Sequence, residues 1–177
     1  MDPQEIAGLG RAMDANANRV REGLRVMEDI ARFFWDDAGI AARLKGLRHD
    51  LAAGLAQAEA ALGPLVAYRD TAHDVGAQLT TEGERARGDA TDLFWANAKR
   101  VQEGLRVLEE CFKMAAPGQE NPFKPLRYAS YEVETACYSA YTRTREVPSP
   151  EMLLGGEAEQ DEVAVRIPPL TSDEDLP

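Results

Sequence analysis

The stretch NANRVREGLRVMED occupies residues 16–29, and the similar stretch NAKRVQEGLRVLEE occupies residues 97–110. When each is extended by one residue at its start, the two align without a gap and are identical at eleven of fifteen positions. Apolar residues recur in both at the spacing of an amphipathic helix. The chain therefore contains an internal repeat that is built around a helix.

A second pair of matching segments extends the repeat beyond one helix. KGLRH at 45–49 corresponds to KPLRY at 124–128, at an offset of 79 residues instead of 81. The two-residue change falls between helices, where length changes are tolerated. We therefore predict two copies of a helical hairpin, about 3–63 and 89–144, joined by a connection over 64–88.

Capping residues and turn residues bound four predicted helices. The first is expected to end near Trp35, and the second is expected to be capped by Asp36 or Asp37. The predicted helices span about 3–35, 37–63, 89–114 and 121–143. The predicted core positions of the first two are Met13, Val20, Leu24, Met27, Ala31, Phe34, Ile40, Leu44, Leu47, Leu51 and Leu55. Two such hairpins bury their apolar stripes against each other, so the predicted fold is all-α, a four-helix bundle.

Charge separates the body of the chain from its end. The formal net charge is -11, and residues 146–177 hold nine acids and one base, which leaves -3 for residues 1–145. The end segment is also rich in Pro and Gly, so we predict a disordered acidic tail after a domain over 1–145. The nearly balanced body lacks the clustered basic surface of a nucleic-acid-binding protein.

The cysteine count and the lack of long apolar runs indicate a cytoplasmic location. Cys111 and Cys137 have no metal-type spacing and are interpreted as reduced thiols within helices. No leader pattern opens the sequence, and no run of about 18 apolar residues occurs. We therefore expect no association with membranes.

The repeated helix places polar and small residues beside its apolar face. On a helical wheel, Asn16 lies within the buried stripe, with Gly23 on its flank and Arg19 just beyond. Asn97, Gly104 and Arg100 repeat the pattern. Packing offers one explanation, in which glycine lets helices approach, the amide bonds across the core and Arg19 pairs with Glu22. A bound ligand offers another, in which the amides orient a ring and the arginines hold phosphate.

The connection and the second helices carry further polar residues. The segment YRDTAHDVG holds Arg69, a further cation, and Asp70 and Asp74, two carboxylates suited to Mg²⁺ held between protein and phosphates. The alternative is an aspartate-capped turn with an exposed His73. Arg48 with His49, and their counterparts Arg127 with Tyr128, are interpreted either as pairs at the edge of the core or as further phosphate contacts.

Three segments together resemble a known family. MDANANRVREGLRVMED, RDTAHDVG and NAKRVQEGLRVLEE are similar to the motifs of the monofunctional hydroxymethylpyrimidine phosphate kinases, and the resemblance runs from about residue 10 to 143. This helical domain occurs alone or fused ahead of thiamin phosphate synthase. It is unrelated to the ribokinase-like enzymes that phosphorylate the same pyrimidine phosphate. The present sequence shows no synthase barrel after the domain.

The resemblance implies transfer of a phosphoryl group from ATP to 4-amino-5-hydroxymethyl-2-methylpyrimidine phosphate. On that basis Asn16 and Asn97, beside Gly23 and Gly104, are expected to orient a pyrimidine or adenine ring. Arg19, Arg100 and Arg69 would bind phosphates, and Asp70 and Asp74 would hold Mg²⁺. The alternatives are a non-catalytic pyrimidine-phosphate-binding domain that acts with thiamin phosphate synthase, and a helical dimerisation module. The oligomeric state, including a homodimer, stays open.

Overall fold

The computed structural model describes residues 1–74 and 88–141, which all lie in the unit Met1–Thr144. Its helices are α1 (Pro3–Phe33), α2 (Ala38–Leu62), α3 (Ala90–Ala115) and α4 (Phe123–Tyr141), and a 3₁₀ turn spans Leu65–Tyr68. Every regular element within these residues is helical, so the prediction of an all-α four-helix bundle is confirmed. The predicted acidic tail, and most of the predicted connection, lie outside the described residues.

Local capping explains where the first two helices begin. The Asp2 carboxylate accepts hydrogen bonds from the backbone N–H groups of Gln4 and Glu5, and the Glu5 carboxylate accepts one in return from Asp2, which completes a capping box. Asp37 caps α2 by accepting the N–H of Ile40 at 2.9 Å. This backbone hydrogen bond is also the main reason that the pKa of Asp37 lies below its usual value.

Helix α1 ends two residues earlier than predicted, at Phe33 instead of near Trp35. The helix ends at Phe33, and Phe34 is 69% exposed at its C-cap, so the assignment of Phe34 to the core is wrong. Helical spacing was extrapolated past the point where the backbone turns. Asp36 takes a positive φ of 50°, which no helix can continue.

The core lies between the four helices and contains the other predicted apolar positions of α1 and α2. Phe94, Phe112 and Phe123 are its largest side chains from the second copy. Trp35 stacks on Tyr141 with ring centroids 4.0 Å apart, and Tyr141 donates a hydrogen bond to Asp37 at 2.7 Å. These contacts tie the end of α4 to the turn between α1 and α2.

The two repeated helices, α1 and α3, pack directly on each other and run antiparallel. A Cβ placed on Gly23 would lie 2.8 Å from Val101 Cγ2, and a Cβ on Gly104 would lie 2.6 Å from Val20 Cγ2. The contacts are reciprocal between equivalent residues, which is the signature of a pseudo-two-fold axis. That axis passes between the middle of α1 and the middle of α3.

Each hairpin is also held by one buried ion pair between its helices. Glu28 of α1 pairs with Arg48 of α2 at 2.5 Å, and Glu109 of α3 pairs with Arg127 of α4 at 2.8 Å. Both carboxylate side chains are less than a tenth exposed. Arg48 and Arg127 are therefore pairs at the edge of the core, the first of the two interpretations considered for them.

None of the described helices combines sufficient length with a sufficiently apolar stretch to cross a bilayer. Cys111 and Cys137 are both free thiols, and burial raises the pKa of Cys137 to about 12.

Candidate functional site

A cleft of about 550 Å³ lies where α1 crosses α3, and it is built by both copies of the repeat. Equivalent residues from the two helices face each other across it. Its lining consists of Asn16, Arg19, Glu22, Gly23, Asn97, Arg100, Glu103, Gly104 and Val107. We call this the central cleft. It brings together all six of the repeated residues that the sequence singled out.

The two asparagines are nearly buried in the central cleft, each with 7% of its surface exposed. Asn16 Nδ2 donates to the Ala12 carbonyl at 2.8 Å, and Asn97 Nδ2 donates to the Leu93 carbonyl at 2.8 Å. The packing explanation, in which the amides bond across the core, does not describe these contacts. Each amide instead bonds to its own helix four residues back, which satisfies the donor and leaves the oxygen to point elsewhere.

The two glycines combine the two roles that the sequence left open. Val101 and Val20 fill the space that side chains at Gly23 and Gly104 would need, so both glycines are required for close packing of α1 on α3. Both also line the central cleft. A Cβ on Gly23 would lie 3.9 Å from Asn97 Oδ1, so each glycine also keeps space open before the amide oxygen of the opposite helix.

The arginines of the central cleft have no carboxylate partner within residues 1–74 and 88–141. Among the described residues, neither Arg19 nor Arg100 forms a salt bridge, so the Arg19–Glu22 pair of the packing explanation is not formed. Arg19 Nη1 donates a long hydrogen bond of 3.4 Å to Asn16 Oδ1. Glu22 and Glu103 line the same cleft, so two arginines and two carboxylates give it a formal charge of zero.

A second cleft of about 650 Å³ adjoins the first and contains the predicted residues of the connection. We call it the lateral cleft. It lies between the first half of α1 and residues 69–74, and it shares Asn16 and Arg19 with the central cleft. The rest of its lining is Arg11, Ala12, Asp14, Ala15, Asn18, Arg69, Asp70, Thr71, His73 and Asp74.

Arg69 is held in the lateral cleft by a two-point contact with Asp14. Arg69 Nε and Nη2 donate to the two Asp14 oxygens at 2.7 and 2.8 Å. The hydrogen bond to Asp14 raises the pKa of Arg69. The guanidinium is therefore fixed in direction and partly neutralised, and its predicted role as a phosphate ligand stays a prediction.

The predicted metal-binding carboxylates both line the lateral cleft. His73 Nδ1 lies 2.9 Å from Asp70 Oδ1, and this contact is the main cause of the lowered pKa of Asp70. Arg11 lies 3.8 Å from the same carboxylate. Within residues 1–74 and 88–141, no group of three or more potential metal ligands occurs. The assignment of Mg²⁺ to Asp70 and Asp74 stays a prediction, since Mg²⁺ is commonly held by one or two carboxylates together with phosphate and water.

Sequence reasoning missed three residues that shape the two clefts. Asp14, which orients Arg69, was missed because an acid on a helix is ordinarily assigned to the surface. Glu22 was assigned to a surface pair and its counterpart Glu103 was not considered, although both line the central cleft. The recurrence of Glu22 as Glu103 in the second copy was a signal that could have drawn attention to these two residues.

The chain is similar to proteins of thiamin biosynthesis. A model described as the ThiD2 family matches residues 11–136, which include every lining residue of both clefts. The chain is 42% identical to the thiamine-phosphate synthase of Synechocystis sp. over 135 residues, 76% of this chain and 38% of that protein. It is 35% identical to the thiamine-phosphate synthase of Rhodopirellula baltica over 163 residues, 89% of this chain and 43% of that protein. The chain thus spans about two-fifths of the length of these relatives. No solved structure matches it.

Proposed function

This chain belongs to the ThiD2 family, and from that premise we propose that it is a kinase of thiamin biosynthesis. It transfers the terminal phosphoryl group of ATP to 4-amino-5-hydroxymethyl-2-methylpyrimidine phosphate and releases the diphosphate and ADP. Mg²⁺ accompanies the ATP. The central cleft holds the reacting phosphates, and the lateral cleft holds the remainder of the nucleotide polyphosphate.

One observation carries the proposal. Arg19 and Arg100 come from different copies of the repeat, line the middle of one cleft, and have no carboxylate partner among the described residues. Phosphoryl transfer requires little covalent chemistry from the protein, because positioning and neutralisation of charge supply most of the catalysis. Two arginines on opposite walls suit that task, since each presents several N–H donors in a fixed plane to phosphate oxygens.

Charge balance supports a divalent cation in this reaction. The central cleft is formally neutral, because Glu22 and Glu103 offset the two arginines. Two phosphorylated ligands would bring several negative charges into it, so neutralisation by the protein alone is insufficient. Mg²⁺ bound to the nucleotide supplies the missing positive charge, and Asp70 or Asp74 of the adjoining cleft would hold it.

A direct assay tests the proposal. The purified chain is supplied with ATP, Mg²⁺ and the pyrimidine monophosphate, and ADP and the pyrimidine diphosphate are quantified. Stoichiometric formation of both products is expected. Saturable binding of the pyrimidine monophosphate without turnover would instead support the non-catalytic binding domain, and the lack of both would leave only a helical scaffold.

Variants of the arginines test the observation itself. Arg19→Gln and Arg100→Gln should each lower kcat by about 100-fold or more, as the loss of one charged group at a reacting phosphate does. Arg32→Gln is the matched control, because Arg32 is a half-exposed arginine at the far end of α1. Wild-type activity in Arg19→Gln and Arg100→Gln would refute the assignment.

A further inference from the structure

The two asparagines of the central cleft occupy equivalent positions but differ in the hydrogen bonding of their oxygens. Asn16 Oδ1 accepts a hydrogen bond from Arg19 Nη1. Asn97 Oδ1 accepts none among the described residues. The orientation of the Asn97 amide is fixed, because its Nδ2 must face the Leu93 carbonyl at 2.8 Å. A buried acceptor without a donor is unfavourable, so this oxygen is suited to a donor that a ligand brings.

The position of Asn97 shows at which end of the central cleft a ligand donor would bind. Because α1 and α3 run antiparallel, Asn97 lies opposite Gly23, whereas Asn16 lies opposite Gly104. Asn16 and Gly23 are seven residues apart, so the two ends of the cleft are separated by about 10 Å along α1. Arg19 lies between them on α1, and Arg100 occupies the equivalent place on α3.

The lateral cleft makes the two ends chemically different. It adjoins the central cleft at Asn16 and Arg19, on the side of α1 that carries Arg11 and Asp14. Eighty-one residues later, the equivalent positions of α3 are Asp92 and Trp95. The α3 copy therefore lacks both the cation of Arg11 and the carboxylate that holds Arg69. Groups suited to a polyphosphate and its metal lie at the Asn16 end only, as far as the described residues extend.

From these two asymmetries we infer the direction in which the substrates bind. The aminopyrimidine ring of the acceptor lies at the Asn97 end, and its exocyclic amino group donates to Asn97 Oδ1. The acceptor phosphate lies between Arg19 and Arg100, and the ATP polyphosphate enters from the Asn16 end through the lateral cleft. Asn97 is thus the residue that selects an amino-substituted ring. This inference rests on the proposed kinase function.

The chemical step follows from that order of groups. An oxygen of the acceptor phosphate forms a bond to the terminal phosphorus of ATP. The bond from that phosphorus to its bridging oxygen breaks, and ADP leaves with the electron pair. Arg19 and Arg100 contact the phosphate oxygens on which charge accumulates, and the ring remains at a distance from the reacting atoms.

Paired variants test the direction of binding. Asn97→Leu and Asn16→Leu remove the same side chain with the same exposure and the same bond to the helix backbone. Any loss of stability common to both is therefore matched. Asn97→Leu should raise the KM for the pyrimidine monophosphate about tenfold or more and leave the KM for ATP within about twofold. Asn16→Leu should affect ATP more, since Asn16 positions Arg19.

A substrate analogue provides a measurement that needs no variant. The 4-oxo pyrimidine monophosphate presents an acceptor where the natural ring presents an amino donor. Wild type should prefer the amino compound by about tenfold or more in kcat/KM, and Asn97→Leu should lose this preference. Equal use of both compounds by wild type, or retained preference in Asn97→Leu, would overturn the inference.

Failure of the kinase function is distinguishable from failure of this inference. If wild type forms no diphosphate, the proposed function fails, and titration calorimetry with each pyrimidine monophosphate then decides the ring assignment. Loss of binding in Asn97→Leu but not in Asn16→Leu supports the assignment. Equal losses in both variants, or a larger loss in Asn16→Leu, refute it.

Discussion

Replacement of Gly23 by Ala tests the close packing on which the central cleft depends. The added methyl group would lie 2.8 Å from Val101 Cγ2, well inside the optimal separation of about 3.5–4.0 Å between carbon atoms. The backbone carbonyl oxygen of Asn97 would lie 3.3 Å away. Since α1 and α3 must separate or Val101 must move, the substitution disturbs the contact that forms the cleft.

The expected magnitude is the difference between two opposing effects. Ala is more favourable than Gly in a helix interior by about 1 kcal/mol. An extra methyl group in a well-packed interface costs about 1–3 kcal/mol. Gly23→Ala should therefore change the free energy of unfolding by between about 0 and 2 kcal/mol in the destabilising direction. Gly104→Ala should cost somewhat more, because its contact with Val20 Cγ2 is 2.6 Å.

Gly8 supplies the matched control within the same helix. A Cβ at Gly8 meets no atom within 4 Å, so Gly8→Ala should stabilise the protein by up to about 1 kcal/mol. The free energy of unfolding of each variant is measured by urea denaturation. The difference between the two substitutions, about 1–3 kcal/mol, isolates the cost of the contact from the gain in helix propensity.

A double-mutant cycle with Val101→Ala identifies the clashing atom. Val101 is fully buried, so Val101→Ala alone should cost about 1–3 kcal/mol. In the double variant the Gly23 methyl group occupies part of the vacated space, so the two costs should not add. Additive costs, or a Gly23→Ala variant as stable as Gly8→Ala, would refute the close approach of α1 and α3.

Three further predictions concern ion pairs. Glu109→Gln leaves Arg127, whose side chain is 13% exposed, without its carboxylate, and it should lower the free energy of unfolding by about 3 kcal/mol in urea at pH 7. Burial tends to raise the pKa of Glu109, but the hydrogen bond from Arg127 and the charge of that arginine outweigh it, so the pKa lies below the usual 4.5. A lowered folded-state pKa means that this contribution is present above pH 4.5 and is lost as pH falls through the folded-state value. Unfolding measured from pH 7 to pH 3 should show this loss in wild type and a smaller one in Glu109→Gln. Asp14→Asn releases Arg69 and should raise the KM for ATP by about tenfold, while an equal rise in the KM for the pyrimidine would contradict the assignment of Arg69 to the nucleotide.

The helices were predictable because their signals are local. Apolar spacing places Val20 and Met27 in the core, and the carboxylates of Asp37 and Asp89 cap the helices that follow them. Phe34 was misplaced for the same reason that the others were placed correctly. The apolar spacing of a sequence can continue past the residue at which the helix ends. It therefore carried no information about the turn at Asp36.

The central cleft was predictable because the chain repeats. A single copy of Asn16, Arg19 and Gly23 would have been read as a poorly formed helix. The recurrence of the same three types 81 residues later indicated that the two surfaces face each other. The sequence did not show that Gly23 contacts Val101 or that Gly104 contacts Val20. Both valines occupy ordinary core positions, and their contacts depend on how closely α1 and α3 approach.

The buried ion pairs show a signal that was present but not used. Glu28 with Arg48 and Glu109 with Arg127 occupy equivalent positions in the two copies. Because isolated acids on helices are mostly solvated, Glu28 and Glu109 were not considered as partners, and two interpretations of Arg48 and Arg127 were left open. When an acid on one helix and a base on the next recur together in both copies, the two side chains are expected to contact each other. The contact forms in each copy because the two helices of each hairpin pack in the same way.

The proposed direction of binding depends on differences between the copies, and a repeat conceals such differences. Asp14 has no acidic counterpart, because Trp95 occupies its position in α3. The pairing of Asp14 with Arg69 therefore arises once, and it exists only because residues 69–74 lie against α1. A duplicated hairpin supplies two equivalent walls, which suit two phosphates that meet at an axis. In the proposed reaction, transfer in one direction requires those walls to differ. They differ within the repeated helices, where Asp14 corresponds to Trp95, and through residues 69–74, which lie against α1.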